Sequence, residues 1–400
     1  TIGLFAPPQP MPQRSLNPAD TSADSQRLEQ IAKARQAVMM EGRSLTTLSH
    51  AGSGANAWIE RSWQRCMANG QRPEQRVNFD QLSVAARHRA LEANHDLVIA
   101  ARPVLERLGR AIANTRYFAI LTDAKGIVID VNGPIDRSDR RAQLITRIGV
   151  DLSERSVGTT AIGAVLAEQQ PLWLHRGEHF FNDTSVYSCA GAPLFGHDGH
   201  CVGMLDLTGI DTAERPELTH LVAQSARSIE NALALSRPHQ LLVRLNWPGR
   251  LLGDESDGFV CLNADGWVTA SNPTARQMVA ELRQTLAPPG QALHASDLFA
   301  MPWELLFDSA QRLDPLEVPL WSGLRLQAMA RAPGNETTPA PLRTGTAALP
   351  LKDLEVELIR KAVREARGNV MQAARTLGIS RATVYRKLAT KAGDTNGHKH

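Results

Sequence analysis

Apolar residues near the end of the sequence repeat with the period of two short helices. Four of them follow the i, i+3, i+4, i+7 spacing of one buried helical face: Val370, Ala373, Ala374 and Leu377. Gly378 suits the left-handed residue that ends a helix, and Ser380 suits the N-cap of the next helix. In that second helix Val384 and Leu388 face back toward the first. The pattern predicts a helix, a tight turn and a second helix.

The period changes between residues 116 and 236, where short β-prone runs replace the helical repeat. These runs cover residues 117–121, 127–131, 171–175, 186–194 and 201–208. Gly-containing polar turns separate the first two runs and the last two, which predicts two antiparallel hairpins. Helical patterns at 157–168 and 216–235 complete the segment. Antiparallel strands flanked by helices predict an α+β module of the sensor type.

The rest of the chain predicts an α+β multidomain protein that ends in an all-α unit. Strand patterns around 258–270, with further strands expected within 305–328, indicate a second module. The predicted order is a Pro-rich disordered tail at 1–24, a helical lead-in at 25–115, the sensor-type module at 116–236, a second module at 250–331, a flexible linker at 332–350 and the helical unit at 351–391.

Charge is nearly balanced over the 400 residues, with a formal net charge of +3, so basic character is local. It concentrates in the predicted helix pair, because six basic residues and no acidic residue lie between Arg367 and Lys391. A capped, basic second helix after a glycine turn is what a major-groove recognition helix requires. The alternative interpretation is a basic helical hairpin that packs on its own protein. We expect double-stranded DNA as a partner.

Cysteine and apolar content indicate the compartment. The cysteines Cys66, Cys189, Cys201 and Cys261 form no C-x-x-C pair, which fits a reducing cytoplasm rather than a disulfide framework. No apolar run is long enough to span a membrane, and the first residues lack the pattern of a signal peptide. We therefore expect a cytoplasmic, nucleoid-associated protein with no membrane partner.

The helix pair resembles the Fis-type helix-turn-helix that closes many bacterial enhancer-binding regulators. The resemblance covers residues 351–391 and rests on Gly368-Asn369, Ala373-Ala374, the run 377–383 and Arg386-Lys387-Leu388. It implies that the following side chains lie against DNA: Ser380, Arg381, Thr383, Arg386 and Lys387. An Arg can donate two hydrogen bonds to a guanine edge, whereas a Ser at a helix start suits a phosphate.

A second resemblance links the middle of the chain to acetoin-catabolism-type regulators. Its motifs are Ser62-Trp63…Arg65-Cys66, Leu121-Thr122-Asp123, Gly-Thr-Thr-Ala-Ile-Gly at 158–163, Glu178-His179-Phe180 and Leu-Asp-Leu-Thr-Gly at 205–209. In that family this half is a GAF sensor domain behind a helical lead-in, so residues 116–236 are expected to form a GAF domain. Thr160 stands where the family usually has Asn. The second module, 250–331, resembles a PAS domain.

The resembled family usually carries an ATPase domain between sensor and helix-turn-helix. This sequence contains no G-x-x-x-x-G-K-[ST] loop to hold nucleotide phosphates and no Gly-Ala-Phe-Thr-Gly-Ala loop to contact sigma-54. We therefore expect ligand-dependent DNA binding without ATP hydrolysis. A homodimer is expected because two half-sites restore specificity, with the apolar stretches 105–112 and 218–233 pairing between subunits. RNA polymerase is a further expected partner, and a nucleoid-type architectural DNA binder is the alternative.

The stretch His175–His179 spells H-x-x-E-H, which also occurs in zinc peptidases. That chemistry needs a helix, whereas this stretch follows a predicted strand and contains Gly177. We expect six residues of this region to line or support a pocket for a small-molecule effector: Trp173, His175, His179, Phe180, Tyr187 and Cys189. Ordinary structural roles are the alternative. No catalytic site, metal site or cofactor is predicted, so the protein is not expected to be an enzyme.

Overall fold

The computed structural model describes residues 18–44, 57–286, 292–312 and 315–333, together with Val370, Met371 and Ala374. The chain divides into two compact units, residues 1–335 and residues 336–400. Residues 1–17 of the predicted tail, the predicted linker beyond residue 333 and most of the predicted helix-turn-helix lie outside the described residues.

The lead-in is helical as predicted. Its helices are α1 (Pro18–Arg35), α2 (Ala57–Ala68), α3 (Val84–Ala93) and α4 (His95–Ala111), and a π-helical turn, Gln36–Met40, continues α1. Helix α1 begins earlier than the predicted boundary at residue 25. Proline at a first helical position explains this start, because its fixed φ suits the helix and its missing N–H has no intrahelical partner there. No helix among the described residues is long and apolar enough to cross a membrane.

The sensor-type module is built on a five-stranded antiparallel sheet with strand order β2-β1-β5-β4-β3. Its strands are β1 (Tyr117–Asp123), β2 (Val128–Asn132), β3 (Leu172–His175), β4 (Tyr187–Phe195) and β5 (Cys201–Ile210). Its helices are α5 (Arg140–Ile145), α6 (Glu154–Val157), α7 (Ala161–Glu168) and α8 (Leu218–Leu235). Both predicted hairpins are confirmed, β1 with β2 and β4 with β5.

Helices cover both faces of this sheet. Trp63 of α2 and Ile162 of α7 pack on one face, which we call the cavity face. Leu105 of α4 and Val222 of α8 pack on the other. The apolar stretches 105–112 and 218–233 pack on each other and on the sheet within one chain. Their expected pairing between subunits stays a prediction. A sheet with an inner strand that is buried at every residue, as β1 is, needs cover on both sides.

The helix predicted over 157–168 is confirmed from Ala161 to Glu168, but its predicted start at residue 157 was wrong because the chain breaks at Gly158. This residue has φ +66°, and a Cβ placed on it would lie 2.9 Å from the Phe181 ring. Glycine alone combines this backbone conformation with such a close approach at little cost. The break separates α6 from α7 and lets Phe180 and Phe181 pack against the backbone between them.

A second five-stranded antiparallel sheet follows, with strand order β8-β7-β6-β10-β9. Its strands are β6 (Leu241–Asn246), β7 (Gly258–Leu262), β8 (Val268–Ser271), β9 (Leu316–Pro319) and β10 (Arg325–Arg331), and its helices are α9 (Pro273–Met278), α10 (Ala295–Leu298) and α11 (Glu304–Arg312). The expected strands within 305–328 are therefore preceded by a helix. The central strand β6 comes first in sequence, whereas the equivalent strand β5 of the sensor sheet comes last. The PAS-like assignment stays a prediction.

The β4–β5 turn joins the sensor sheet to the second sheet. The guanidinium of Arg276 donates to the backbone oxygens of Gly196 at 2.9 Å and His197 at 3.1 Å. The side chain of Asn272 donates to Asn231 of α8 at 2.8 Å. Burial lowers the pKa of Arg276. Because a buried guanidinium is costly unless its donors are engaged, these bonds hold the two sheets together.

Candidate functional site: a cavity in the sensor module

A small cavity of about 30 Å³ lies between the sensor sheet and the N-terminal end of α7. Its walls are mostly apolar, and its lining consists of Phe79, Ile120, Ile145, Leu152, Val157, Thr160, Ala161, Ile162, His179, Thr184, Tyr187, Cys189 and Thr208. A space of this size has room for water-sized occupants, whereas pockets for drug-sized ligands measure roughly 300–1,000 Å³. An effector larger than a few atoms therefore needs to displace lining side chains or to extend out of this space as it binds.

His179 supplies one of the polar groups in this cavity, and its imidazole is neutral. Burial lowers the pKa of His179 to about 4, although the Arg176 carbonyl partly opposes this shift. Nδ1 lies 2.8 Å from the backbone oxygen of Arg176, which can only accept, so Nδ1 carries the proton in the neutral ring. Nε2 is then an acceptor, 3.7 Å from the Cys189 sulfur.

A chain of polar side chains continues from His179 along the sheet. Cys189 Sγ lies 3.5 Å from the hydroxyl oxygen of Thr208. That hydroxyl donates to the carboxylate of Asp206. Asp206 has no exposed surface, and burial raises its pKa to about 7. Its cross-strand neighbour Ile120 lines the cavity, so the carboxyl group lies on the cavity face.

The structure brings three of the six predicted pocket residues together, namely His179, Tyr187 and Cys189. Trp173 and His175 lie on β3 with their rings stacked at a centroid distance of 6.2 Å, and Trp173 packs toward the α4–α8 side of the sheet. Phe180 is fully buried against Phe181, beside the cavity but outside its lining. Alternation along β3 explains the positions of Trp173 and His175, because residues two apart in a strand point to the same face, here the face opposite the cavity.

Sequence reasoning missed Asp206 and Thr208, although the pattern that finds them is present. In the run 205–209 the two leucines alternate with these polar residues, and Leu205 and Leu207 pack on the α4–α8 side. The polar pair must therefore point to the opposite, cavity face. Buried polar side chains on an otherwise apolar face identify a site more directly than neighbouring aromatic residues do.

Thr160 also lines the cavity and explains the departure from the motif of the resembled family. It is the N-cap of α7, and its hydroxyl oxygen accepts from the backbone N–H of Gly163 at 3.2 Å. Threonine and asparagine are both good N-cap residues. The substitution therefore keeps the helix start and changes the polar group that faces the cavity.

Helix α2 is anchored beside the cavity by polar contacts that its amphipathic pattern did not predict. The hydroxyl of Ser62 lies 2.6 Å from the Glu154 carboxylate and 2.8 Å from the Thr159 hydroxyl. Arg65 donates to the same carboxylate through two nitrogens, at 2.7 and 2.9 Å. These bonds fix α2 against the loop that leads into α7. The motif at 62–66 thus connects the lead-in to the cavity wall.

The loop that carries His179 is held by the lead-in. Arg35 donates to the backbone oxygens of Gly177, His179 and Phe180, with distances of 2.9 Å to the first and last. Trp63 Nε1 donates to the backbone oxygen of Glu178 at 2.8 Å. The Glu178 carboxylate pairs with Arg27 at 2.5 Å. Arg27, Arg35 and Trp63 thus hold residues 177–182 by hydrogen bonds and an ion pair. We call these contacts the lead-in clamp.

The H-x-x-E-H stretch does not form the α-helix that zinc peptidases use. His175 ends strand β3, and Arg176–Glu178 is a single 3-10 turn. The Nδ1 of His175 shares a hydrogen bond with Ser188 at 2.9 Å. Within the part of the chain that the structure describes, no three His, Cys, Asp or Glu side chains are grouped to hold a metal ion.

The predicted DNA-contacting residues lie outside the described residues: Ser380, Arg381, Thr383, Arg386 and Lys387. Three residues of the preceding predicted helix are described. Val370, Met371 and Ala374 are helical, Ala374 is 3% exposed and Met371 is 48% exposed. Burial of Ala374 agrees with the predicted apolar face of this helix.

Comparisons with known proteins assign the sensor-type module and the C-terminal helical unit to families. Residues 96–233 match the GAF domain family, and residues 350–390 match the family described as Bacterial regulatory protein, Fis family. These two matches define a sensor-type domain followed along the chain by a DNA-binding domain. The chain combines a GAF domain with a Fis-type helix-turn-helix, as the sequence predicted.

Proteins that are named as regulators of acetoin metabolism are similar to part of this chain. The chain is 30% identical to the acetoin catabolism regulatory protein of Cupriavidus necator over 56% of this chain and 34% of the relative. It is 25% identical to the acetoin dehydrogenase operon transcriptional activator AcoR of Bacillus subtilis over 55% and 36%. The chain thus spans about a third of the length of these relatives. A crystal structure of the E. coli DhaR(N)–DhaL complex aligns at 16% identity and TM-score 0.42, over 68% of this chain and 99% of that chain.

Proposed function

We propose that this protein is a sequence-specific transcription regulator whose GAF domain, with its cavity, senses a small molecule. The observation that carries the proposal is the buried, mostly apolar cavity with a few polar groups, since ligand sites have this composition. The Fis-type helix-turn-helix at 350–390 supplies the DNA-binding unit. The five residues 380, 381, 383, 386 and 387 contact DNA, and His179, Tyr187 and Cys189 contact the effector. Trp173, His175 and Phe180 support the cavity from outside its lining.

The regulator acts without hydrolysing ATP and without remodelling sigma-54. Support comes from the sequence, which contains neither the phosphate-binding loop nor the Gly-Ala-Phe-Thr-Gly-Ala loop. The similarity to longer relatives covers only about a third of their length, so their further activities do not transfer with it. DNA occupancy itself is then the regulatory output.

The lead-in clamp provides a route from cavity to output. His179 faces the cavity, while its backbone oxygen is held by Arg35 of α1. Because the cavity is small, effector binding displaces this loop and loosens or tightens the clamp. The protein works as a cytoplasmic homodimer on paired half-sites, with RNA polymerase as a further partner. The module at 250–331 is a PAS-like domain between sensor and linker.

Two measurements on the purified full chain test this function. Genome-wide mapping of bound DNA fragments should yield discrete sites whose footprints change when a small molecule is added. ATP turnover should stay at the background of a chain-free control. Robust ATP hydrolysis would end the ATP-independent account. Scattered, ligand-blind binding would instead favour the alternative, a nucleoid-type architectural protein with GAF and PAS-like modules that sense nothing.

A further inference from the structure

A second concave space lies between helices α4 and α8, on the side of the sensor sheet opposite the sensor cavity. We call this space, which is lined by residues of both helices and by Glu255, the α4–α8 cleft. Its volume is about 210 Å³, against about 30 Å³ for the sensor cavity. Val104 and Leu108 of α4 and Leu221 of α8 are the larger apolar side chains of its lining. Since one water molecule takes up roughly 30 Å³ in the liquid, a small organic molecule has room here without displacing side chains.

The lining of the cleft carries one positive and one negative side chain. Arg107 is an exposed residue of α4, and Glu255 is an exposed residue of the loop between β6 and β7. Glu255 is held in position, because its Oε2 accepts from the Ser228 hydroxyl at 2.5 Å and its backbone oxygen accepts from Asn231 at 2.8 Å. Among the described residues neither Arg107 nor Glu255 forms an ion pair, so both charges are open to a bound molecule.

Ser225 of α8 adds a polar group that is almost fully buried. The residue lines the cleft and is only 8% exposed. Its hydroxyl forms no hydrogen bond with another residue in the part of the chain that the structure describes. Most buried side-chain hydroxyls have a partner, and a hydroxyl can donate to a carboxylate or accept from an ammonium group. Independently of the two charges, Ser225 therefore favours a polar ligand in this cleft.

The two opposite charges select among the classes of polar ligand. A simple carboxylate would be attracted by Arg107 but repelled by Glu255, and a simple amine would be attracted by Glu255 but repelled by Arg107. A zwitterion can pair with both side chains at once. The apolar part of the lining suits a hydrocarbon group on the same molecule. An aliphatic α-amino acid carries a carboxylate, an ammonium group and a hydrocarbon side chain on one carbon atom.

We propose that the α4–α8 cleft binds an aliphatic α-amino acid in its zwitterionic form. The carboxylate pairs with Arg107 and accepts from Ser225, and the ammonium group pairs with Glu255. The hydrocarbon side chain packs on Leu108 and Leu221. Helices α4 and α8 belong to the sensor, whereas Glu255 belongs to the second module, so the ligand contacts both modules, and ligand sites are common at such boundaries. This site goes beyond the proposed function, since it is separate from the sensor cavity.

Three probes test the need for both charges: L-leucine, 4-methylpentanoic acid and 3-methylbutan-1-amine. The second is leucine without its amino group, and the third is leucine without its carboxyl group. Binding to the full chain is measured by ligand-observed NMR at pH 7, where all three probes are charged, and at low salt, because exposed ion pairs are screened. We expect leucine to bind about fivefold more tightly than either of the others, which is the upper end of what one exposed ion pair contributes.

The variants Arg107→Gln and Glu255→Gln should each remove one half of this preference. In Arg107→Gln, leucine should bind no more tightly than the amine but still more tightly than the acid. In Glu255→Gln, whose amide oxygen can still accept from Ser228, leucine should bind no more tightly than the acid but still more tightly than the amine. Arg110→Gln is the matched control, because Arg110 is an exposed residue of α4 outside the lining of the cleft. It should leave the order of the three probes unchanged.

The outcomes decide the site without deciding the proposed function. Wild-type binding of either single-charge probe as tightly as leucine, no leucine binding at millimolar concentration, or an unchanged order in Arg107→Gln or Glu255→Gln overturns the proposal. A changed order in Arg110→Gln overturns it as well. So does a leucine affinity that falls as the chain concentration rises, because a second copy of the chain would then fill the cleft. None of these results touches the sensor cavity, which shares no lining residue with the cleft.

Discussion

Asp206 and Gly158 are two single residues of the sensor that lower the stability of the fold locally. Asp206 places an acid in a fully buried position on the cavity face. Gly158 takes a left-handed conformation against the Phe181 ring. Each lies within two residues of a residue that lines the cavity, Val157 or Thr208. Neither residue is the one that would give the most stable fold at its position. Such local compromises occur preferentially at functional sites.

Asp206→Asn should change how stability depends on pH. The folded-state pKa of about 7 lies above the ordinary value of 3.8. The protonated acid therefore stabilises the fold fully below about pH 4, and this contribution is lost as pH rises through about 7. The variant does not titrate, so relative to wild type its free energy of unfolding should rise by roughly 2–4 kcal/mol between pH 4.5 and pH 8. Urea unfolding across this range measures it, and parallel pH profiles would contradict the buried acid.

Gly158→Ala should destabilise the sensor through both backbone and packing. The new Cβ would meet the Phe181 ring at 2.9 Å and Phe180 Cβ at 3.0 Å. We expect a loss of about 2–4 kcal/mol in the free energy of unfolding, from left-handed strain and overpacking together. Gly70→Ala is the control, because Gly70 has φ +77° but nothing within 4 Å of its Cβ position. Equal losses in both variants would show that packing at Gly158 contributes nothing.

At the scale of elements, the lead-in helices act as part of the sensor. Helix α1 reaches the His179 loop through Arg27 and Arg35, and α2 reaches it through Trp63. Burial is the largest influence on Glu178 and raises its pKa to about 7, although Arg27 opposes the shift. The clamp therefore holds a loop that contains both a cavity-lining residue, His179, and a buried acid, Glu178.

Arg35→Met should loosen this loop while leaving the sheet intact. The change keeps an apolar stem but removes donors to three backbone oxygens and to Asn182. We expect a loss of about 2–3 kcal/mol and faster hydrogen exchange confined to residues near 176–184. Lys33→Met on the same helix is the control, since its side chain is 74% exposed and pairs with Glu29 alone among the residues that the structure describes. Unchanged exchange in Arg35→Met would contradict the clamp.

Much of this element order follows from sequence pattern. Runs of β-branched and apolar residues gave both hairpins of the sensor sheet, and the period of 3.6 gave the helix that closes it. The break at Gly158 did not follow, because it depends on contact with Phe181, a residue far along the chain. The bonds from Ser62 and Arg65 to Glu154 were hidden for the same reason. Periodicity predicts which face of an element is buried, but it does not predict which residues from other parts of the chain contact that face.

The site was only half predictable from the sequence. Proximity along the chain selected Trp173 and His175 with His179, although alternation on a strand sends the first two away from the cavity. Alternation applied to residues 205–208 would have identified Asp206 and Thr208. Phe79 also lines the cavity but lies in a loop that is distant in sequence, so only the three-dimensional structure identifies it as a lining residue.

At the scale of the whole molecule, a sensor is joined to a DNA-binding unit by a second α+β module. The GAF domain and the Fis-type helix-turn-helix lie at 96–233 and 350–390. The strand order of the second sheet places its first strand, β6, at the centre. Residues 236–240 therefore connect helix α8 directly to the central strand of the next sheet.

Arg381→Ala and Lys387→Ala should weaken DNA binding in different ways. A bidentate Arg–guanine contact contributes about 1–3 kcal/mol of discrimination, so the first variant should lower the ratio of operator to random-DNA affinity. A Lys–phosphate contact carries no sequence information, so the second should weaken both affinities alike and reduce the salt dependence. Fluorescence anisotropy titrations on both DNAs at two salt concentrations distinguish them. Equal losses on operator and random DNA for both variants would refute this division of roles.

Genome-wide mapping of bound sites, for wild type and for Thr208→Val, tests the central claim that a sensor sets DNA occupancy. The variant keeps the shape of a cavity-lining residue but removes the hydroxyl that holds Asp206. We predict discrete sites with an affinity at least about a thousandfold above random DNA, and occupancy that changes in the variant while the site sequences stay the same. Scattered binding, identical in the two proteins, would contradict the account.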